Sequence, residues 1–202
     1  MNKLQQLTLA VLAVVLFNTA AVAQTQKGNL MVGGNISNFG LDFLDGGGTR
    51  FSMDITPKVA YFIKDDLALG GYAKMGLVTA KDAGTTTQYG IGALGRYFIQ
   101  DSRVRKLEFS RRARFFLEAN AGFGGSSNSN TDASTTGLDI GFGPGLAYFI
   151  TPNVALEALL KYELTVGFGS ATTSNRLNLG VGFQIYLPTA KAREIIREEG
   201  GR

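Results

Sequence analysis

Leu177-Asn178-Leu179-Gly180-Val181-Gly182-Phe183-Gln184-Ile185-Tyr186-Leu187 alternates without a break. Leu177, Leu179, Val181, Phe183, Ile185 and Leu187 fall on one side; Asn178, Gly180, Gly182, Gln184 and Tyr186 fall on the other. A period of two marks an extended strand whose successive side chains point to opposite faces, where a helix would return its apolar residues every three or four positions. Residues 138–150 repeat the pattern. There Leu138, Ile140, Phe142, Pro144, Leu146, Tyr148 and Ile150 oppose Asp139, Gly141, Gly143, Gly145, Ala147 and Phe149. Continuing in both directions gives eight such segments, at about 28–37, 51–63, 67–78, 88–99, 114–124, 138–150, 154–168 and 177–187. Each reaches the length of about 9–11 residues that a tilted strand needs to cross a bilayer.

The two faces differ in kind. The apolar face carries no Asp, Glu, Lys or Arg in any of the eight segments, while the other holds Asp54, Lys58, Lys74, Arg96, Arg114, Glu118, Asp139, Glu157, Lys161 and Glu163, with most of the strand glycines. A soluble, lipocalin-like barrel would turn its apolar face inward around a ligand and put mixed charges on its exterior. A membrane barrel turns the apolar face to lipid. Small residues on the polar face suit the second arrangement, because an eight-strand barrel is just wide enough to be filled by side chains. Lipid also leaves no water to satisfy an open sheet edge, so the sheet must close. The expected fold is all-β: an eight-stranded antiparallel up-and-down transmembrane barrel with a short C-terminal tail.

A hairpin repeat supports this. Tyr61-Phe62-Ile63, Tyr97-Phe98-Ile99 and Tyr148-Phe149-Ile150 close the second, fourth and sixth segments, and Tyr186-Leu187 closes the eighth. Tyr61, Tyr97, Tyr148 and Tyr186 are the expected interfacial girdle, where rings sit between lipid tails and headgroups. Pro57 and Pro144 each remove a ladder donor, so a local bulge is expected at both. Phe39, Leu41 and Phe43 read either as a continuation of the first strand past another bulge, the preferred reading since bulges gather at barrel rims, or as a loop that offers apolar contacts to a partner.

The chain of 202 residues has 27 Gly, 45% hydrophobic and 18% charged residues, and no Cys, His or Trp. Without Cys there is no disulfide framework and no attachment site for a lipoprotein anchor. Without His, the usual zinc sites, Ser-His-Asp triads and most general-base chemistry near neutral pH are excluded. Residues 1–23 read as a cleaved signal peptide. Lys3 is its positive end, Leu7–Phe17 its apolar run, and Ala21-Val22-Ala23 its small-residue site before Gln24. The barrel then occupies 24–187 and a short tail 188–202.

Taken together, these residues resemble the small eight-stranded outer-membrane barrels of the outer membrane protein A and X type. More narrowly, the chain is similar to the short outer membrane beta-barrel domain proteins of Gram-negative bacteria, over about residues 28–187. Asn178, Gly180, Phe183 and Ile185 match the assembly signal of that family, although a tail follows where the family's signal usually ends in an aromatic. The resemblance implies outer-membrane lipids and the barrel-assembly machinery as partners, a monomer, and both termini in the periplasm. The connections near 38–50, 79–87, 125–137 and 169–176 would then lie outside the cell, the third a flexible polar loop by composition.

The ten inner charges are five acids and five bases. Counting from the turns pairs Asp54 with Lys74 and Arg96 with Glu118. Paired charges would plug the lumen, so the expected function is structural or surface-binding through extracellular loops, with an extracellular ligand the sequence does not name. The alternative is a narrow gated channel or transporter for small or hydrophobic solutes. No catalytic, cofactor-binding or metal residues are expected. Glu157 and Glu163 serve better as lumenal ion-pair partners than as an acid–base pair. Gly90-Ile91-Gly92-Ala93-Leu94-Gly95 matches the dinucleotide fingerprint by letters but lies within a strand and opens no helix. Arg103, Arg105, Lys106, Arg111 and Arg112 make the turn at 101–113 basic; nucleic acid is not an expected partner for an exported membrane protein.

Overall fold

The computed structural model describes residues 25–44, 48–80, 84–99, 112–130, 134–168 and 173–189. The expected signal peptide with Ala23 and Gln24, the basic stretch 101–111 and the tail from 190 onward lie outside these residues. Eight strands follow in order: β1 (Asn29–Leu44), β2 (Gly48–Lys64), β3 (Leu67–Ala80), β4 (Gly84–Phe98), β5 (Ala113–Asn128), β6 (Ser134–Thr151), β7 (Val154–Gly167) and β8 (Thr173–Pro188). Each pairs antiparallel with its sequence neighbour, and β8 returns to β1, closing the barrel. Among the described residues no helix is long and apolar enough to cross a membrane; the apolar surface belongs to strands.

Alternation sets what faces where. In β2, Ile55, Val59, Tyr61 and Ile63 are exposed on the outside, and Asp54, Lys58, Ala60 and Phe62 are buried within. Every strand behaves this way, so the outer wall is a band of Val, Ile, Leu, Phe and Tyr. The buried core is the lumen itself, with Met31, Phe62, Phe98, Phe116, Phe149 and Tyr186 gathered at the end where the first and last described residues, Thr25 and Thr189, lie. That end is also tied from outside the sheet. Thr25 donates to Asp66 at 2.5 Å, the Lys27 amide donates to Asp65 at 2.8 Å, and Thr189 donates to the Gly28 carbonyl at 2.5 Å.

At the opposite end the strands run further than the sequence pattern suggests. Ser126 to Asn128 pair with Thr86 to Gln88, and Ser134 to Gly137 pair with Gly124 to Ser127. The expected polar loop at 125–137 is therefore mostly strand. Ser and Thr alternate poorly in hydrophobicity, but their backbone groups pair as well as any once the neighbouring strand is fixed. The connection near 38–50 shrinks likewise. β1 continues through Leu44, past a register shift between Ser37 and Gly40 where Asn38 adopts φ 52°. Asn tolerates this left-handed conformation, which suits a bulge.

The two prolines correct a second expectation. β2 pairs with β3 in one register on either side of Pro57, from Ile55↔Met75 to Lys58↔Tyr72. β6 pairs with β7 in one register on either side of Pro144, from Phe142↔Tyr162 to Gly145↔Leu159. Neither proline makes a bulge. Each is paired on one side, with Gly34 and Leu117 respectively, and interrupts the ladder locally on the side where its missing N–H would have donated.

Candidate functional site

The lumen is built in layers, starting from the termini. Tyr61, Tyr97 and Tyr148 point outward, so the Phe that follows each must point inward by the period-two rule. Phe62, Phe98 and Phe149 thus meet inside the barrel together with Phe116 and Tyr186. Ring centroids lie 6.0 Å apart for Phe62–Phe98, 5.5 Å for Phe98–Phe116 and 5.1 Å for Phe149–Tyr186. Tyr186 is 1% exposed and lies inside this layer. It is not part of the outer girdle: it shares a face with Asn178 and Gln184, and its hydroxyl donates to Glu157 at 3.1 Å.

Above the rings sits a buried ion cluster. Arg96, 0% exposed, donates to Glu118 on the neighbouring β5 at 2.6 Å and to Glu157 across the lumen on β7 at 2.6 Å. Its guanidinium carbon stands 4.0 Å from the Phe116 ring centroid. Lys58 on β2 reaches Glu118 at 2.7 Å. Two cations and two carboxylates thereby join β2, β4, β5 and β7. Buried charges of this kind persist only when paired and hydrogen-bonded, because each ion's desolvation costs several kcal/mol.

A third layer is wetter. Glu163 accepts from Lys74 at 3.0 Å, from Lys161 at 2.8 Å and from Asn178 at 2.8 Å. Asp139 accepts from Thr165 at 2.5 Å. The cross-strand Asp54–Lys74 pair counted from the turn does not form. The β2–β3 register sets Asp54 against Gly76, and Lys74 spans the lumen to β7 instead. Asp54 is fully buried, with Arg176 at 3.9 Å. Arg114 lies on the inner face of β5, half-buried. Toward the far end the lumen opens into a cavity of about 210 Å³ lined by Lys74, Gln88, Asp139, Glu163, Thr165 and Arg176, among others.

Of the assembly-signal residues, Asn178 and Gly180 face the lumen, Phe183 is exposed on the outer wall and Ile185 is half-buried there. The sequence reading placed all ten charges on the inner face but missed most of their partners: Lys58–Glu118, Arg96–Glu157 and Lys74–Glu163 span three or four strands, Asp54–Arg176 spans two, and Lys161 and Glu163 share β7. It also missed the aromatic layer, although Phe62, Phe98 and Phe149 stand one step from the tyrosines it singled out. Arg50 and Arg176 escaped notice because the strands were read too short.

The outer membrane protein beta-barrel domain family model matches residues 9–190. No curated protein matches the sequence. Among solved structures, neisserial surface protein A is 18% identical, with a TM-score of 0.54 over 81% of this chain and 98% of that one. The N-terminal β-barrel domain of Pseudomonas aeruginosa OprF is 16% identical, with a TM-score of 0.48 over 80% and 98%. Ail, the attachment invasion locus protein of Yersinia pestis, is 15% identical, with a TM-score of 0.48 over 80% and 100%. At such identities the likeness is one of fold.

Proposed function

The chain belongs to the outer membrane protein beta-barrel domain family, and from that premise we propose that it is a non-catalytic barrel, closed to steady flow, that works at the cell surface through its open end. Both termini lie in the periplasm on this reading, so the aromatic layer and ion cluster close the periplasmic half and the cavity faces outward. The observation that carries the proposal is Arg96, fully buried on β4 and bonded at 2.6 Å both to Glu118 on β5 and across the lumen to Glu157 on β7, directly over the layer of aromatic rings. A salt bridge across an eight-strand lumen leaves no continuous water path. The short connections shift surface binding from loops to the strand rim and the cavity beneath it. With no His in the sequence and with Glu118, Glu157 and Glu163 each paired to a cation, this reading assigns the barrel no general base.

The partners are outer-membrane lipids around a monomer, with the barrel-assembly machinery inserting it. A narrow gated channel is the second reading, favoured by one feature: Glu118 is shared by Lys58 and Arg96, so one cation can release it while the other keeps it paired. Purified protein in planar bilayers separates the two. A closed barrel gives no steady conductance, a gated one gives brief discrete openings, and sizeable steady conductance refutes the closed lumen.

A further inference from the structure

The ladder that closes the barrel stops early. β1 and β8 pair from Asn29↔Pro188 to Ser37↔Gly180 and no further. Continuing that register would set Asn38–Leu44 against Thr173–Leu179, so both strands extend far enough to pair. They part at the Asn38 bulge, and beyond it β1 bonds to β2 and β8 to β7 alone. The seam is therefore split through the half of the barrel away from the termini.

Two cavities meet at that split. On the outer wall, a groove of about 530 Å³ is lined by Ile36, Phe39, Leu177, Leu179 and Val181, together with Ser37, Asn38 and Asn178. On the lumen side, a cavity of about 490 Å³ is lined by Arg50, Arg176, Gln88 and Thr86, with Val78 and no carboxylate. Asn38, Leu177 and Asn178 line both. An apolar trough on the lipid side thus adjoins a chamber with two guanidinium groups. Unpaired strand edges at the level of Leu177 and Leu179 are costly in hydrocarbon unless something polar reaches them. A lipid tail alone cannot meet that demand.

We propose that the split seam is a lateral binding slot for a single-chain amphiphile with a carboxylate head. The tail lies along Phe39, Leu177, Leu179 and Val181, and the head turns inward to Arg50 and Arg176. The groove's volume of about 530 Å³ suits one long alkyl chain rather than two. Arginine's planar fork matches a carboxylate in bidentate fashion. Asp54 stands behind Arg176 at 3.9 Å, and Asp42 faces Arg50 across the β1–β2 register, so a monoanion suits the chamber better than a doubly charged phosphate monoester. The proposal rests on the barrel's place in the outer membrane and not on its closed lumen; a barrel found to conduct would leave it standing.

The chain has no Trp, so one introduced at a chosen site reports alone. Leu177→Trp places the reporter in the slot, and Phe123→Trp places it on the outer wall of β5. Each full-length protein, its folding checked by heat-modifiable gel mobility, is titrated with dibromostearate in neutral detergent micelles. Saturable quenching is expected at Leu177→Trp and only linear, partition-type quenching at Phe123→Trp. Adding Arg50→Ala and Arg176→Ala to Leu177→Trp should weaken the saturable phase at least tenfold. Equal quenching at both sites, indifference to the two arginines, or equal affinity for brominated phosphatidylglycerol would each overturn the proposal. So would a disulfide-linked dimer of the Leu179→Cys variant, which would assign the open edges to a second copy of the chain.

Discussion

Arg96 illustrates how much one inner side chain can carry. Its fork serves two carboxylates and a ring at once, so removing it leaves Glu157 in the interior with no cation among the described residues and Glu118 with Lys58 alone. Arg96→Leu should cost about 3–5 kcal/mol, the usual penalty for breaking a buried ion pair from one side. Urea unfolding in detergent micelles measures it, and the same variant should begin to conduct in planar bilayers. Arg96→Lys keeps the charge but loses the two-sided grip and should fall between. Glycines impose the opposite constraint. A Cβ at Gly143 would collide with the Leu160 carbonyl, and one at Gly70 with the Val59 carbonyl. Alanine at either position should cost about 1–3 kcal/mol by overpacking, read from the same unfolding curves.

Among the strands, the closing seam is the weak member. Amides of Asn38–Leu44 and Thr173–Leu179 that face across it have no ladder partner there, whereas β5 and β6 pair from Ala113↔Tyr148 to Ser127↔Ser134. Hydrogen exchange of the folded protein should be faster in those two stretches than at corresponding heights of β5 and β6. Their equal protection would mean that the seam is closed in the membrane. This region also marks the limit of what the sequence conveys. Alternation of Leu177 through Leu187 sufficed for the strand, its faces and the closed topology, because a period of two is local. The Asn38 bulge depends on which strand lies beside β1. The Lys74–Glu163 bridge depends on the barrel's diameter. Neither quantity is written in any window of neighbouring residues. The Tyr-Phe-Ile repeat was half read for a simpler reason: its Tyr draws the eye to lipid, while the Phe beside it points to the lumen by the same rule.

The whole molecule presents an apolar exterior and a charged interior, the inverse of a water-soluble domain. Cell fractionation should find it in the outer membrane, and the folded form should run faster than the boiled form on a semi-native gel; a soluble protein without that shift would contradict the assignment. The aromatic layer has one more consequence. Met31 lies on β1 and Tyr186 on β8, with Phe62, Phe98, Phe116 and Phe149 on strands between them. An open sheet cannot assemble these rings, since the first and last strands must meet before the circle exists. The long-range step of joining two ends of the chain carries a large entropic cost, and the rings reward it only on completion. They act as a latch on the finished cylinder, favouring the closed form over a curled sheet that has yet to find its own beginning.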